Sequence, residues 1–527
     1  MRRVRGAALL TTALVLAACS GGAEEPGGDD PSVPAEDGGA AAGAGTITVA
    51  IGATASRGLD PANIANFTPS SEGNFLPAIF GMLAYLDAET GEVVPDLAES
   101  LEPSDDGSVW TVTLRPGLEF SDGTPLDAEA VVYNYERHQD PEVASRLAGT
   151  VEGMSFAAVD ETTVEITLPE PNYHFDKTLA VSLTYIGSPA ALEEDPEGFA
   201  REPVGAGPFM VAEVVDDSHL TLVRNDNYGG EHTPSADELV FRVIPDPQQR
   251  VQAVTAGEAD IAVPGSDMSH LDAGVEQGLE ATSVALSGGT FFIFNTAQPP
   301  FDDPLARQAV STALNAQEIV DIADGGSEAV GIRSLFAESS PFYDSGRLFA
   351  GDDPAAAQDL LNEIAEAGEP LSFTLSMPQG GQWRRYGETV QSRLSELDNV
   401  TVEVDFLENA ALASQVFGER NYHMSGFNLF MPDPEPNLFN LIHSEGRDNH
   451  SQYANPELDE AIEGVWGAPD DDARADLYAT IEEILIEDVP VWPLKGAAPY
   501  VLHHDGVSGL TMHSEGALLW DRVEVSR

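Results

Sequence analysis

Cysteine is almost absent: the 527 residues hold one, Cys19. A single thiol can form neither an intrachain disulfide nor a multi-cysteine zinc site. Lysine is nearly as scarce, with Lys177 and Lys495 alone, and arginine brings the basic total only to 24 against 89 Asp and Glu, a formal net charge of −65. A surface of that sign repels phosphate backbones and anionic headgroups, which excludes nucleic acid as a partner and direct adhesion to an acidic membrane. The acids are spread along the whole chain, as in a solvated surface suited to salty or alkaline surroundings. Also missing are a GxSxG elbow, an HExxH helix and a P-loop, so no enzyme and no cofactor are expected.

What the chain does contain is material for large cores: 42% apolar residues and five tryptophans over a length that calls for two or three lobes. At the N-terminus Arg2, Arg3 and Arg5 precede AALLTTALVLAA at 7–18, a basic n-region followed by an apolar stretch of signal-peptide length, shorter than the roughly 20 residues of a spanning helix. Leu16-Ala17-Ala18-Cys19 resembles the bacterial lipobox, which implies cleavage after residue 18 and a lipid on Cys19. Residues 20–45 are Gly, Ala, Pro and acid, too poor in apolar groups to offset their ordering entropy, and read as a flexible acidic linker. The folded body is expected from Thr46 onward, anchored to the extracytoplasmic face of the cell membrane by lipid alone.

Alternating apolar positions predict strands at 46–51, 108–117 (Trp110, Val112, Leu114), 163–170 (Val164, Ile166, Leu168), 219–225 and 400–408. Helices interleave with them. Asp303-Pro304 gives an N-cap acid and a proline at the first helical position, ahead of Leu305, Ala309 and Ala313. Asn455-Pro456 opens a second, and 471–487 form a third through Leu477, Ile481 and Ile484. Mixed elements over this length predict an α/β protein of more than one lobe.

Five segments, in order, resemble the extracytoplasmic solute-binding proteins of peptide/nickel-type ABC importers (family 5): LRPGLEFSDGTPLDAEAVVYNYER (114–137), VGAGPFMV (204–211), RVQAVTAGEADI (250–261), NTAQPPFDDPLARQAVSTALNAQEIV (295–320) and YANPELDEAI (453–462). They are mostly scaffold, turns and helix starts, and so identify the fold more than the ligand. The resemblance implies a two-lobed periplasmic-binding-protein-like fold, a type II-like hinged cleft with an extra subdomain inserted in the first lobe. Lobe I would comprise 46–82, 200–293 and 492–527, the inserted subdomain 83–199, and lobe II 294–491, with crossings near Phe294-Asn295 and Trp492. The implied function is capture of a peptide or peptide-like solute between the lobes, by a monomer, and delivery to importer permeases driven by cytoplasmic ATPases. Alternatives are a carrier of an oligosaccharide, nickel or a metal chelate and, more remotely, a carbohydrate-active enzyme.

In peptide-binding members an arginine grips the ligand carboxylate and an acid its amine. Arg384, beside Trp383 and Arg385 at the start of a predicted helix in 382–397, lies where the dipeptide-binding members carry that arginine, and a helix N-terminus favours an anion as well. The same arginines could equally neutralise acids on so negative a surface. In SGFNLFMPDPEPNLFN (425–440) the amine-binding position falls on Phe430, which cannot pair with an ammonium, and Asp433 is the acid that could stand in. Phe427 and Asn428 in that segment, with Phe67 and Ser71 from the first lobe, complete the candidate ligand wall. Each aromatic could instead be core. No metal site is expected, because His503 and His504, adjacent in a strand, point to opposite faces and cannot both join His513.

Overall fold

The computed structural model describes residues 45–55, 58–63, 72–265, 267–325, 329–431, 433–513 and 516–526. The predicted leader, Cys19 and the linker therefore lie outside the described residues, as do Phe67 and Ser71. Three sheets organise the rest. A seven-stranded mixed sheet has Thr46–Ile51 near its middle, parallel to Glu238–Val243 on one side and to Ile261–Ala262 on the other. Its outer strands are Glu280–Ser283 and Tyr500–His503 at one edge, His219–Arg224 and Phe209–Val215 at the other. A core containing Phe75, Phe241 and Trp520 packs on it, with ring centroids 4.9 and 5.2 Å apart in edge contacts.

A five-stranded sheet runs in the order Val400–Leu407, Leu371–Pro378, Met424–Met431, Leu286–Phe294, Val491–Ala497. Every residue of Leu286–Phe294 is buried, and its sequence, LSGGTFFIF, accordingly shows no alternation. Gly289, at φ +133°, lets this strand pass its neighbour, since a Cβ there would lie 2.0 Å from the Lys495 carbonyl oxygen. The third sheet is antiparallel and four-stranded. Within it, Val109–Leu114 and Thr163–Thr167 pair with Trp110 opposite Ile166 and Val112 opposite Val164, all four buried, as their alternation requires.

The resemblance segments are built as their residues dictate. In FSDGTPLD the Phe120 amide donates to the Thr124 carbonyl at 2.8 Å, closing the turn, and Asp127 caps the helix Ala128–Gln139 by accepting from the Ala130 amide at 2.9 Å. Gly205 is needed for close approach: a Cβ there would sit 2.3 Å from the Ile79 carbonyl oxygen of the helix Glu72–Phe80. Asp303 caps Pro304–Ala313 through the Leu305 amide at 2.9 Å. Asp303→Ala is expected to cost about 1 kcal/mol in urea unfolding, the usual worth of an exposed cap.

The chain passes from the seven- to the five-stranded sheet between Ser283 and Leu286 and returns between Ala497 and Tyr500. The Val284 amide donates to the Pro499 carbonyl at 3.2 Å and ties the two crossings together. Residues 286–293 and 492–497, expected with the first lobe, thus pair within the five-stranded sheet. The physical reason is burial at every position of Leu286–Phe294, which suits a strand paired on both edges inside a sheet.

Candidate functional site

The strands Leu371–Pro378 and Met424–Met431 are parallel neighbours, so the residues that follow the first and those that end the second gather at one end of the sheet. After the first strand comes the helix Gly381–Leu394, as predicted for 382–397, with Tyr386, Val390 and Leu394 buried. Gly380 precedes it without a side-chain cap. Trp383 is half-buried and lies over Gly426, where a Cβ would be 2.3 Å from the indole. Arg384 is turned along its own helix: its guanidinium rests 4.0 Å from the centroid of Phe406 and 3.4 Å from Glu388 Oε1. Arg385 instead donates to the Ala323 carbonyl and reaches Asp267 Oδ2 at 3.5 Å, which links the five-stranded sheet's helix to the N-cap of Met268–Glu276 beside the other sheet.

On the second strand, Phe427 packs edge-on to Phe417 and His450, with centroids 5.9 and 5.7 Å away. Asn428 is exposed, and its Oδ1 accepts from Thr290 Oγ1 at 2.9 Å. Phe430, paired in register with Gly288, packs against the apolar cluster to which Leu286 and Ala497 at the crossings also belong.

Asp433 is buried, and protein cations meet both its oxygens: Arg474 Nη2 stands 2.7 Å from Oδ1 and Lys177 Nζ 3.2 Å from Oδ2. Burial works against the Arg474 charge, but Asp433 and Tyr478 more than reverse this and hold its pKa above the ordinary value. Glu435, two residues on, is pushed up to about 8 by burial, reinforced by the Asp433 charge and opposed by Arg474.

Two cavities flank the crossing segment. One, of about 330 Å³, is polar and lined by Lys177, Ser287, Ser340, Phe342, Asp433 and Arg474. The other, of about 520 Å³, is mainly apolar, with Met268, Leu286, Ile332, Phe336 and Tyr343 on its walls. Ala285, Leu286 and Ser339 line both. Of the sequence-predicted residues that are described, Asp433 alone lines either one. Lys177 and Arg474 escaped the sequence reading, although scarcity pointed to the first: both lysines of this chain are buried or nearly so and ion-paired, Lys495 with Asp324 at 2.9 Å. The three histidines separate, His503 Nε2 lying 3.1 Å from Thr282 Oγ1, His504 Nε2 3.3 Å from Asp260, and His513 in the short strand Met512–His513. Among the described residues no group of three His, Cys, Asp or Glu is arranged to hold a metal ion.

Two mixed α/β lobes, joined by paired crossings with cavities beside them, define a two-lobed fold of the periplasmic-binding-protein type. The chain belongs to the bacterial extracellular solute-binding proteins, family 5, whose middle-region family model matches residues 92–449. It is similar to the glutathione-binding protein GsiB of Salmonella paratyphi A, with 25% identity over 497 residues, covering 91% of this chain and 94% of that one. It is also similar to the nickel-binding periplasmic protein of Escherichia coli K12, 26% identical over 442 residues, 77% of this chain and 81% of that one. Among solved structures, the ABC transporter substrate-binding protein CtaP of Listeria monocytogenes superposes with a TM-score of 0.80 at 22% identity, over 92% of this chain and all but 1% of its own. No helix among the described residues is long and apolar enough to cross a membrane.

Proposed function

We propose that this protein captures a peptide or peptide-like solute between its two lobes and delivers it to a membrane ABC importer, tethered to the membrane by a lipid on Cys19. The observation that carries this reading is the pair of adjoining cavities, one polar and one apolar, walled by elements of more than one sheet at the crossing segments. The hinges are best placed at 284–286 and 497–500, where the chain changes sheet, rather than near 294–295 and 492. The glutathione-binding relative supports a peptide-like ligand. Arg385, which reaches Asp267 beside the other sheet, would brace the two lobes next to the ligand without touching it, and binding would replace turnover as the protein's task.

Native mass spectrometry of the purified mature protein tests the reading. A retained peptide-like solute of a few hundred daltons is expected, and adding it back to stripped protein should raise the melting temperature. A retained nickel chelate would make it a metal carrier, and chemical conversion of the retained compound would make it an enzyme.

A further inference from the structure

Lys177 lies on the helix Phe175–Ser182, whose Phe175 and Leu179 belong to the core of the four-stranded sheet. Arg474 lies on Asp471–Asp488, whose Tyr478, Ile481 and Leu485 belong to the core of the five-stranded sheet. Asp433 stands between them. Its Oδ1 accepts from Arg474 and from the Glu435 amide at 3.1 Å, and its Oδ2 faces the Lys177 ammonium, which also donates to the Gly91 carbonyl at 3.1 Å. The Lys177 and Asp433 side chains are only 13% and 5% exposed, so water screens this pair weakly. Two more contacts join the same two bodies beside it: the Tyr173 amide donates to the Trp466 carbonyl at 2.8 Å, and His174 Nε2 lies 2.8 Å from the Ala468 carbonyl.

A buried carboxylate on the wall of a cavity is a strong seat for a ligand ammonium, provided its oxygens are open. Here the chain's own ammonium arrives from the other body and takes it. We propose that Lys177 is a specificity-determining residue, an internal cation that occupies Asp433 so that this wall accepts a neutral or anionic ligand group and rejects a free ammonium. The adjoining apolar cavity completes the class: an apolar body carrying an uncharged or anionic head. The ligand class rests on the proposed solute-binding role, whereas the occupancy of Asp433 does not.

The first test is chemical rescue on the full mature chain. Lys177→Ala should melt below wild type and be restored by propylammonium chloride, but not by sodium chloride or 1-propanol at equal concentration. Wild type should gain no more from propylammonium than from sodium chloride, and adding Asp433→Asn to the variant should abolish rescue. Stabilisation of wild type as large as that of the variant, or no rescue of the variant, overturns the proposal, even if mass spectrometry finds no solute and the binding role fails.

Lys177→Met keeps the packed stem and removes only the charge, so it serves if the alanine variant does not fold. Phenylalaninamide, a cationic amine with an apolar ring, should bind it about tenfold or more tightly than it binds wild type in calorimetry. The same affinity in both proteins, or none in either, overturns the proposal.

Discussion

Replacing Arg474 by leucine is expected to lower the free energy of unfolding by about 3 to 5 kcal/mol, the cost of breaking a buried ion pair from one side. Arg474 is among the largest fully buried side chains of the protein, with its side chain 1% exposed. It meets Asp433 at 2.7 Å, Asp471 at 3.1 Å and the Tyr478 hydroxyl at 3.1 Å, and its guanidinium lies 5.0 Å from the centroid of Phe342. Leucine fills part of the space but leaves the largely buried Asp433 with Lys177 as its remaining cation partner. The urea midpoint should fall with little change in slope, because the surface exposed on unfolding is nearly the same. Adding Asp433→Asn should recover part of the loss, since the uncompensated charge is then gone; strict additivity of the two substitutions would show that the pair is not coupled.

Glu435→Gln is expected to stabilise the protein in a strongly pH-dependent way. The folded protein holds the Glu435 proton up to about 8, chiefly because the carboxyl is buried, whereas an unfolded glutamate releases it near 4.5. Between those values the unfolded chain binds fewer protons than the folded one, so this group makes stability fall as pH rises. Below the window both states are protonated, and above it both are ionised. Glutamine keeps the shape and does not titrate. Variant and wild type should therefore be close at pH 4.5 and diverge to on the order of 3 kcal/mol by pH 8. Urea titrations at the two pH values decide it, and parity at pH 8 would refute the assignment. Asp96 and Glu482, each pushed up to about 7 by burial, act in the same direction in wild type, and the substitution isolates Glu435 from them. The effect also bears on the cleft, because ionised Glu435 would place a second negative charge beside Asp433, where Lys177 and Arg474 converge.

Half-buried strands and capped helices were legible in the sequence because their signals are local. Trp110, Val112 and Leu114 alternate with threonines and face a core, while Asp303 and Asn455 sit one residue ahead of a proline and accept the first free amides. The strand Leu286–Phe294 was not legible as part of the second sheet, since a strand covered on both faces has no period to read. Among the candidate ligand residues, Trp383, Arg384 and Arg385 were correctly placed on one helical turn, but their different errands were not. Arg384 stacks on Phe406, whereas Arg385 crosses to Asp267, and adjacent side chains on a helix diverge by about 100°.

By itself, the sequence determined the family, because five segments of turn and cap chemistry occur in a fixed order, and it determined the extreme negative charge. It also marked Lys177 and Lys495 as rare without saying why. Only the tertiary structure decided what Asp433 faces. Its two cations come from a helix in the core of another sheet and from a helix near the C-terminus. Pairing at such separation leaves no local pattern, since it depends on which surfaces the packed cores bring together and not on the residues next in line.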